Sequence, residues 1–191
     1  MKFNPDIHHR RSIRLRHYDY SQAGAYFVTV CTQNRECLFG EIVDRTMVLN
    51  DAGKMIHMVW DKLPFHYDGV DIDQFIVMPN HVHGILALVG AGPRACPDLK
   101  TGRPQGVAPT ISLPDVMHRF KTFTTSQYRI GVNQSQWPPF PGKLWQRNYY
   151  EHIIRAEEDL NEIREYIVNN PAGWDKDEEN PDLLRKQTPY S

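Results

Sequence analysis

Residues 25–32 read AYFVTVCT, a run of aromatic and β-branched side chains that suits a buried, pleated strand. A weaker alternation over 41–48 predicts a second strand or hairpin. From Asn50 the spacing lengthens. Ala52, Met55, Ile56, Val59, Trp60 and Leu63 recur three and four apart, with Asn50 or Asp51 placed as N-cap and Pro64 just past the end. That spacing is an amphipathic helix. Residues 70–78 (VDIDQFIVM) and 81–89 (HVHGILALV) are two further apolar runs separated only by Pro79 and Asn80, so they predict an antiparallel hairpin.

Residues 90–110 are dense in Gly, Pro and Ala without apolar periodicity and predict a long mobile loop inserted in one domain. Residues 113–129 predict a helix with Val116, Phe120, Phe123 and Tyr128 on one side and Arg119, Lys121 and Arg129 as its cations. A Pro-rich break at 137–142 precedes a strand or extended segment at 144–155 (LWQRNYYEHIIR), and 156–170 predicts a last helix stopped by Pro171. Strands and helices in this order, with a hairpin where a parallel crossover would otherwise come, define an α+β class. The arrangement that fits is ferredoxin-like: a mainly antiparallel sheet with helices packed on one face.

At 191 residues, 40% apolar and 24% charged, the chain suits one soluble domain. No apolar run approaches the roughly 18 residues of a membrane span, and the first 20 residues lack the apolar core of a secretory signal, so a cytoplasmic location is expected. Three cysteines at 31, 37 and 96 match no zinc spacing and read as reduced thiols. The net charge of -1 creates no global field for nucleic acid. Its distribution matters more: Arg10, Arg11, Arg14 and Arg16 crowd a basic arm at 1–20, and carboxylates crowd the last helix and an acidic tail at 172–191. The domain proper is expected over 21–171.

His81 and His83 alternate with Val82 on a strand, so their rings share one face and converge. Neutral imidazole is a good transition-metal ligand. Equally, two such rings could only make hydrogen bonds on a half-exposed strand. In the last helix Leu160, Ile163 and Ile167 form the core stripe, leaving Tyr166 at its edge with Asn170 one turn on. A phenol with a pKa near 10 needs a cation or a base to act as nucleophile, and Tyr166 could instead lie across the surface as an amphipathic ring. Asn170 could simply end the helix. Lys143, Trp145, Arg147, Tyr149 and Tyr150 could stack unpaired bases and hold phosphates, or form a strand with one aromatic face in the core; Trp145 suits the core and Arg147 suits binding.

Three blocks, VMPNHVHGIL at 77–86, LWQRNYYEHIIR at 144–155 and EYIVNNP at 165–171, resemble in order and context the REP-associated tyrosine transposases, a branch of the HUH single-strand transposases. The resemblance runs over about 25–171. It implies that His81 and His83 are metal ligands, that Asn170 is a third ligand, that Tyr166 is the nucleophile and that the cofactor is Mg or Mn. Asn170 stands where the related insertion-sequence transposases carry Gln. The implied activity is cleavage and rejoining of single-stranded or hairpin-flanked DNA through a 5′-phosphotyrosine, by a monomer or a homodimer. Arg10, Arg11, Arg14, Arg16, Arg119, Lys121, Lys143, Arg147 and Tyr149 are the expected DNA contacts. Two rivals are an idle hairpin-binding module on the same fold and a small metal-dependent hydrolase that keeps Tyr166 only for structure.

Overall fold

A computed structural model describes residues 18–89 and 111–183. The arginines of the basic arm, the 90–110 loop and the last eight residues lie outside that range. In chain order the elements are β1 (Gly24–Cys31), a 3-10 turn (Gln33–Arg35), the hairpin β2 (Gly40–Val43) and β3 (Thr46–Leu49), α1 (Asp51–Asp61), the short α2 (Leu63–His66), β4 (Val70–Val77), β5 (His81–Leu88), α3 (Leu113–Ser135), β6 (Tyr150–Ile154), α4 (Glu157–Gly173) and a 3-10 turn (Trp174–Lys176). Four strands pair in the order β4-β5-β1-β6, and every pairing is antiparallel. Setting aside the small β2–β3 hairpin, this is the split β-α-β order of a ferredoxin-like sheet.

Alternation along β1 divides the interior in two. Tyr26, Val28 and Val30 face one side with Val82, Leu86 and Leu88 of β5, and there they meet Ile56 and Trp60 of α1 and Val116, Met117, Phe120 and Tyr128 of α3. Ala25 and Phe27 face the other side with Ile85 and Ile154, where Leu160 and Ile167 of α4 cover them. The expected helical layer on one face is thus α1 and α3, while α4 lies across the opposite face. Periodicity shows which stripe of a helix is buried and not against which side of a sheet, so the sequence could not separate these two placements.

Local signals explain most boundaries. Asn50 caps α1, its side chain accepting from Gly53 N at 2.9 Å. Ser112 and Asp115 close a reciprocal capping box at the start of α3. Pro64 opens the short helix α2 instead of merely following α1, a position where its missing N–H costs nothing. Pro171 does not stop α4: the helix runs on to Gly173, with Asn170 and Pro171 both buried, so burial of the last turn outweighs one missing backbone hydrogen bond. Helix α3 runs past residue 129 to Ser135, and Phe123 is 52% exposed at its rim instead of in the core. Trp145 is buried as expected, its indole N–H donating to Thr124 Oγ1 at 2.9 Å.

Two features fix the sheet where the histidines sit. At Gly84 a Cβ would come within 2.5 Å of the Trp60 ring, which stacks on Phe75 at 4.4 Å, so only glycine lets α1 close over β5 at that point. At the edge of the sheet the β4–β5 register shifts between Ile72 and Phe75. Asp73, in that bulge, forms a forked ion pair with Arg164 of α4, whose Nε lies 3.1 and 3.2 Å from the two carboxylate oxygens and whose Nη2 reaches one of them as well. This pair clamps α4 to the sheet two residues before Tyr166. No helix among the described residues is long and apolar enough to cross a membrane.

Candidate active site

His81 and His83 leave β5 on the α4 face, and their Nε2 atoms approach to 2.9 Å. Both rings are buried. The tight turn before them is held from outside: Thr32 N donates to Asn80 O at 2.8 Å, while Leu38 N and Phe39 N donate to Pro79 O at 2.9 and 3.1 Å. Asn80 is fully buried and its side-chain N–H2 donates to Arg35 O at 3.1 Å and Glu179 O at 2.7 Å. Those two bonds fix the amide orientation, so Oδ1 faces His81 Nδ1 at 2.9 Å and can only accept. The proton of His81 is therefore on Nδ1 and its Nε2 lone pair points into the site. Across the strand pair, Thr29 Oγ1 lies 2.8 Å from His83 Nδ1, a hydroxyl that can donate or accept and so admits either tautomer.

Burial pushes both imidazoles down to about 3, the proximity of His81 lowering His83 further, so both rings are neutral near pH 7. Neutral rings are what a metal needs.

Helix α4 brings Tyr166 to the same spot. Its hydroxyl lies 3.4 Å from His83 Nε2 and its ring packs edge-on to those of His83 and Phe27, at centroid distances of 5.2 and 6.0 Å. Histidines and tyrosine meet within one chain. Tyr166 is 49% exposed and opens on a cleft of about 840 Å³. Burial of the hydroxyl, and the charge of Asp177 after it, push the phenol above its usual value, with Asn170 acting the other way. Asn170, one turn further along, is buried within reach of both His81 and Tyr166, yet among the described residues its Oδ1 has no hydrogen-bond partner of good geometry.

Asp177 also enters the site, from the segment after α4, and its carboxylate with His81 and His83 offers three donor atoms all within 4.8 Å of one another. Sequence reading missed it. A carboxylate that returns through a chain reversal has no fixed spacing from the histidines. Asn80 and Thr29 were missed for related reasons: one lies in a turn, and the other faces His83 only through the β1–β5 register.

The donor set fits a divalent cation. Two imidazole nitrogens at 2.9 Å stand at about the 3 Å separation of neighbouring ligands on a six-coordinate ion with bonds of ~2.1 Å, and the partnerless amide oxygen and a carboxylate supply the oxygen donors such ions prefer. Among the described residues, Glu162, Glu165, Asp177, Glu178 and Glu179 line the cleft against Lys176 alone, a lining that repels a phosphate unless a cation accompanies it.

The expected DNA contacts are dispersed. Arg119 stacks over Tyr67 at 4.9 Å on the α1–α3 side of the sheet. Lys121 Nζ donates to the carbonyls of Gln146, Arg147 and Asn148 at 2.9, 3.3 and 3.1 Å, stapling the segment before β6, and sits over the Tyr149 ring, which packs against the main core. Lys143 and Arg147 line a separate groove of about 690 Å³ with His118 and Arg129, and among the described residues no carboxylate lines it. His152 is engaged by Asp159 at 2.9 Å and stands apart from the histidine pair.

The fold and site define a ferredoxin-like α+β protein whose central strand presents two converging imidazoles to a tyrosine from its last helix. No family model matches the chain. A Haemophilus influenzae protein named only "Uncharacterized protein" is 44% identical over 182 residues, covering 93% of this chain and 96% of that one. A second Haemophilus influenzae protein, named "Putative REP-associated tyrosine transposase", is 22% identical over 154 residues, covering 81% and 73%. Among solved structures, a REP-associated tyrosine transposase bound to a REP hairpin matches with a TM-score of 0.55 at 21% identity, covering 94% of this chain and 89% of that one. The chain belongs to one family with the first of these proteins, and its fold is that of the REP-associated tyrosine transposases.

Proposed function

We propose that this chain is a metal-dependent single-strand DNA endonuclease and transposase that cuts and rejoins hairpin-flanked DNA through a covalent bond to Tyr166. The observation that carries the reading is the approach of the Tyr166 hydroxyl to His83 Nε2 at 3.4 Å, where the Nε2 atoms of two neutral imidazoles converge. A hydrolase that activates water has no need of a phenol there.

In this reading His81, His83 and Asn170 hold the cation, with Asn80 and Thr29 orienting the two rings. When bound, a divalent Mg or Mn supplies positive charge that offsets the charge developing on the scissile phosphate and stabilises the phenolate. Tyr166 Oη attacks phosphorus in line, a Tyr–O–P bond forms, the bond to the 3′-oxygen breaks, and the proton lost by the phenol is balanced by the one gained at the 3′-oxygen. Bond energy is retained in the 5′-phosphotyrosine, so the same 3′-hydroxyl or another can reverse the step without a nucleotide cofactor. Phe27 and His83 pack edge-on against the phenol ring, at centroid distances of 6.0 and 5.2 Å, which reduces the ordering that remains for the reactive geometry.

Because the cleft is acidic, contacts that hold DNA are assigned outside it. Lys143 and Arg147 in the basic groove, Arg119 and the arm arginines Arg10, Arg11, Arg14 and Arg16 are the assigned contacts, while Lys121 acts chiefly as a staple and Tyr149, packed against the core beneath it, serves the fold. The hairpin in the similar solved structure supports a hairpin as the partner.

A labelled hairpin-flanked oligonucleotide incubated with the protein and Mn²⁺ tests the proposal. A denaturation-resistant protein–DNA band, absent in Tyr166→Phe, is expected. Cleavage without a band would indicate a hydrolase, and binding without cleavage an idle module; either would overturn the reading.

A further inference from the structure

Asp177 stands four residues beyond the end of α4, and the segment around it is folded back over the histidines by contacts from three directions. Within the segment, Asp177 N and Asn180 Nδ2 both donate to Trp174 O, at 3.1 and 2.9 Å, and the Trp174 ring lies 6.0 Å from that of His81. From the turn before His81, Asn80 donates to Glu179 O at 2.7 Å. From the turn after β1, Arg35 Nε pairs with Glu179 Oε2 at 2.6 Å.

These pins leave the two oxygens of Asp177 in different situations. Oδ1 accepts from Glu179 N at 2.7 Å. Oδ2 faces His81 Nε2 at 3.9 Å, too far for a hydrogen bond, on a side chain only 10% exposed. The facing nitrogen carries no proton, because Asn80 holds the His81 proton on Nδ1. A nearly buried carboxylate oxygen opposite an imidazole lone pair is a repulsive arrangement that a shared cation would turn into an attractive one.

We propose that Asp177 Oδ2 is a ligand of the cation held by His81 and His83, so that the metal site is completed by the segment beyond the tyrosine helix and kept in register by Asn80 and Arg35. The inference rests on the metal-dependent reading above. It adds an anionic ligand that neutralises one charge of the ion, and it gives the Arg35–Glu179 pair a role in metal retention, since that pair holds the loop that carries Asp177. Hard divalent ions such as Mn²⁺ suit a set of two nitrogens with oxygens.

Titration of Mn²⁺ followed by the loss of its free-ion paramagnetic resonance signal, on the full chain, reads the site without DNA. Asp177→Asn keeps an oxygen for Glu179 N and removes only the charge; affinity is expected to fall by roughly tenfold or more, with an unchanged circular dichroism spectrum. Should that variant fail to fold, Arg35→Met, which touches no donor atom, is expected to weaken Mn²⁺ binding by a smaller factor. Affinity equal to the parent in Asp177→Asn, or in Arg35→Met where only that variant folds, while the double variant His81→Ala/His83→Ala loses binding, would overturn the assignment of Asp177 and leave the histidine site standing. A parent protein that binds no Mn²⁺ would overturn both readings.

Discussion

Replacing Asn80 by alanine removes one side chain on which three separate segments depend. Its amide donates to Arg35 O and Glu179 O and accepts from His81 Nδ1, at 3.1, 2.7 and 2.9 Å, from a position with no solvent exposure. Each bond contributes about 0.5–1.5 kcal/mol net, and its buried partner is left unsatisfied when it is lost, so the expected destabilisation is about 2–4 kcal/mol. A domain of this size commonly has ~5–15 kcal/mol in hand, so the variant should still fold. Urea unfolding at pH 7, extrapolated linearly, measures the change. The second effect is local: without Asn80 nothing fixes the proton on His81 Nδ1, and ¹⁵N shifts of the ring should show a mixture of tautomers where the parent shows one. Asp at this position separates the two effects, because it can still accept from His81 but cannot donate to the carbonyls. A loss below about 1 kcal/mol together with an unchanged tautomer in Asn80→Ala would refute the reasoning.

Three further outcomes are expected. Gly84→Ala places a methyl 2.5 Å from the Trp60 ring and 2.9 Å from Phe75, and should cost about 1–3 kcal/mol in urea unfolding; a neutral result would mean that α1 does not close on β5 as described. In chelator-treated protein the two buried histidines bind protons only in the unfolded chain between about pH 6.5 and 3, so stability is complete above pH 6.5 and declines on acidification by up to about 1.4 kcal/mol per pH unit for each ring, and unfolding midpoints that fail to fall between pH 7 and 5 would contradict that burial. Burial raises the Cys31 thiol to about 12 while Cys37 is exposed, so of these two described cysteines maleimide at pH 7.5 followed by peptide mass spectrometry should label Cys37 readily and Cys31 only on unfolding; equal rates would show β1 opening readily.

Much of this was legible in the chain. The hairpin that carries the histidines, the helix capped by Asn50 and the stripe that leaves Tyr166 at the edge of α4 all follow from periods of two and 3.6 residues, because each depends on near neighbours. What was not legible depends on distant ones. That α4 takes the face opposite α1 and α3 is decided by which side of β1 carries Phe27 and Ala25, and Pro171 is carried inside the helix because the final turn is buried. Asp177 reaches the histidines through a turn built from Trp174 and Asn180, and Thr29 meets His83 only because β1 pairs with β5 in one register. No local pattern encodes such meetings. Composition marks the residues after 172 as an acidic tail and carries no signal that Asp177 and Glu179 fold against the site.

The central claim is that a phenol and two imidazoles act on one phosphate, and peptide mapping of the covalent product tests it most directly. After reaction with a hairpin-flanked oligonucleotide and Mn²⁺, nuclease trimming and proteolysis should yield a nucleotide phosphate on the tyrosine of the peptide containing Glu165, Tyr166 and Ile167. A phosphate carried on Tyr149, Tyr150 or any other residue, or a cleaved strand with no modified peptide, would contradict it.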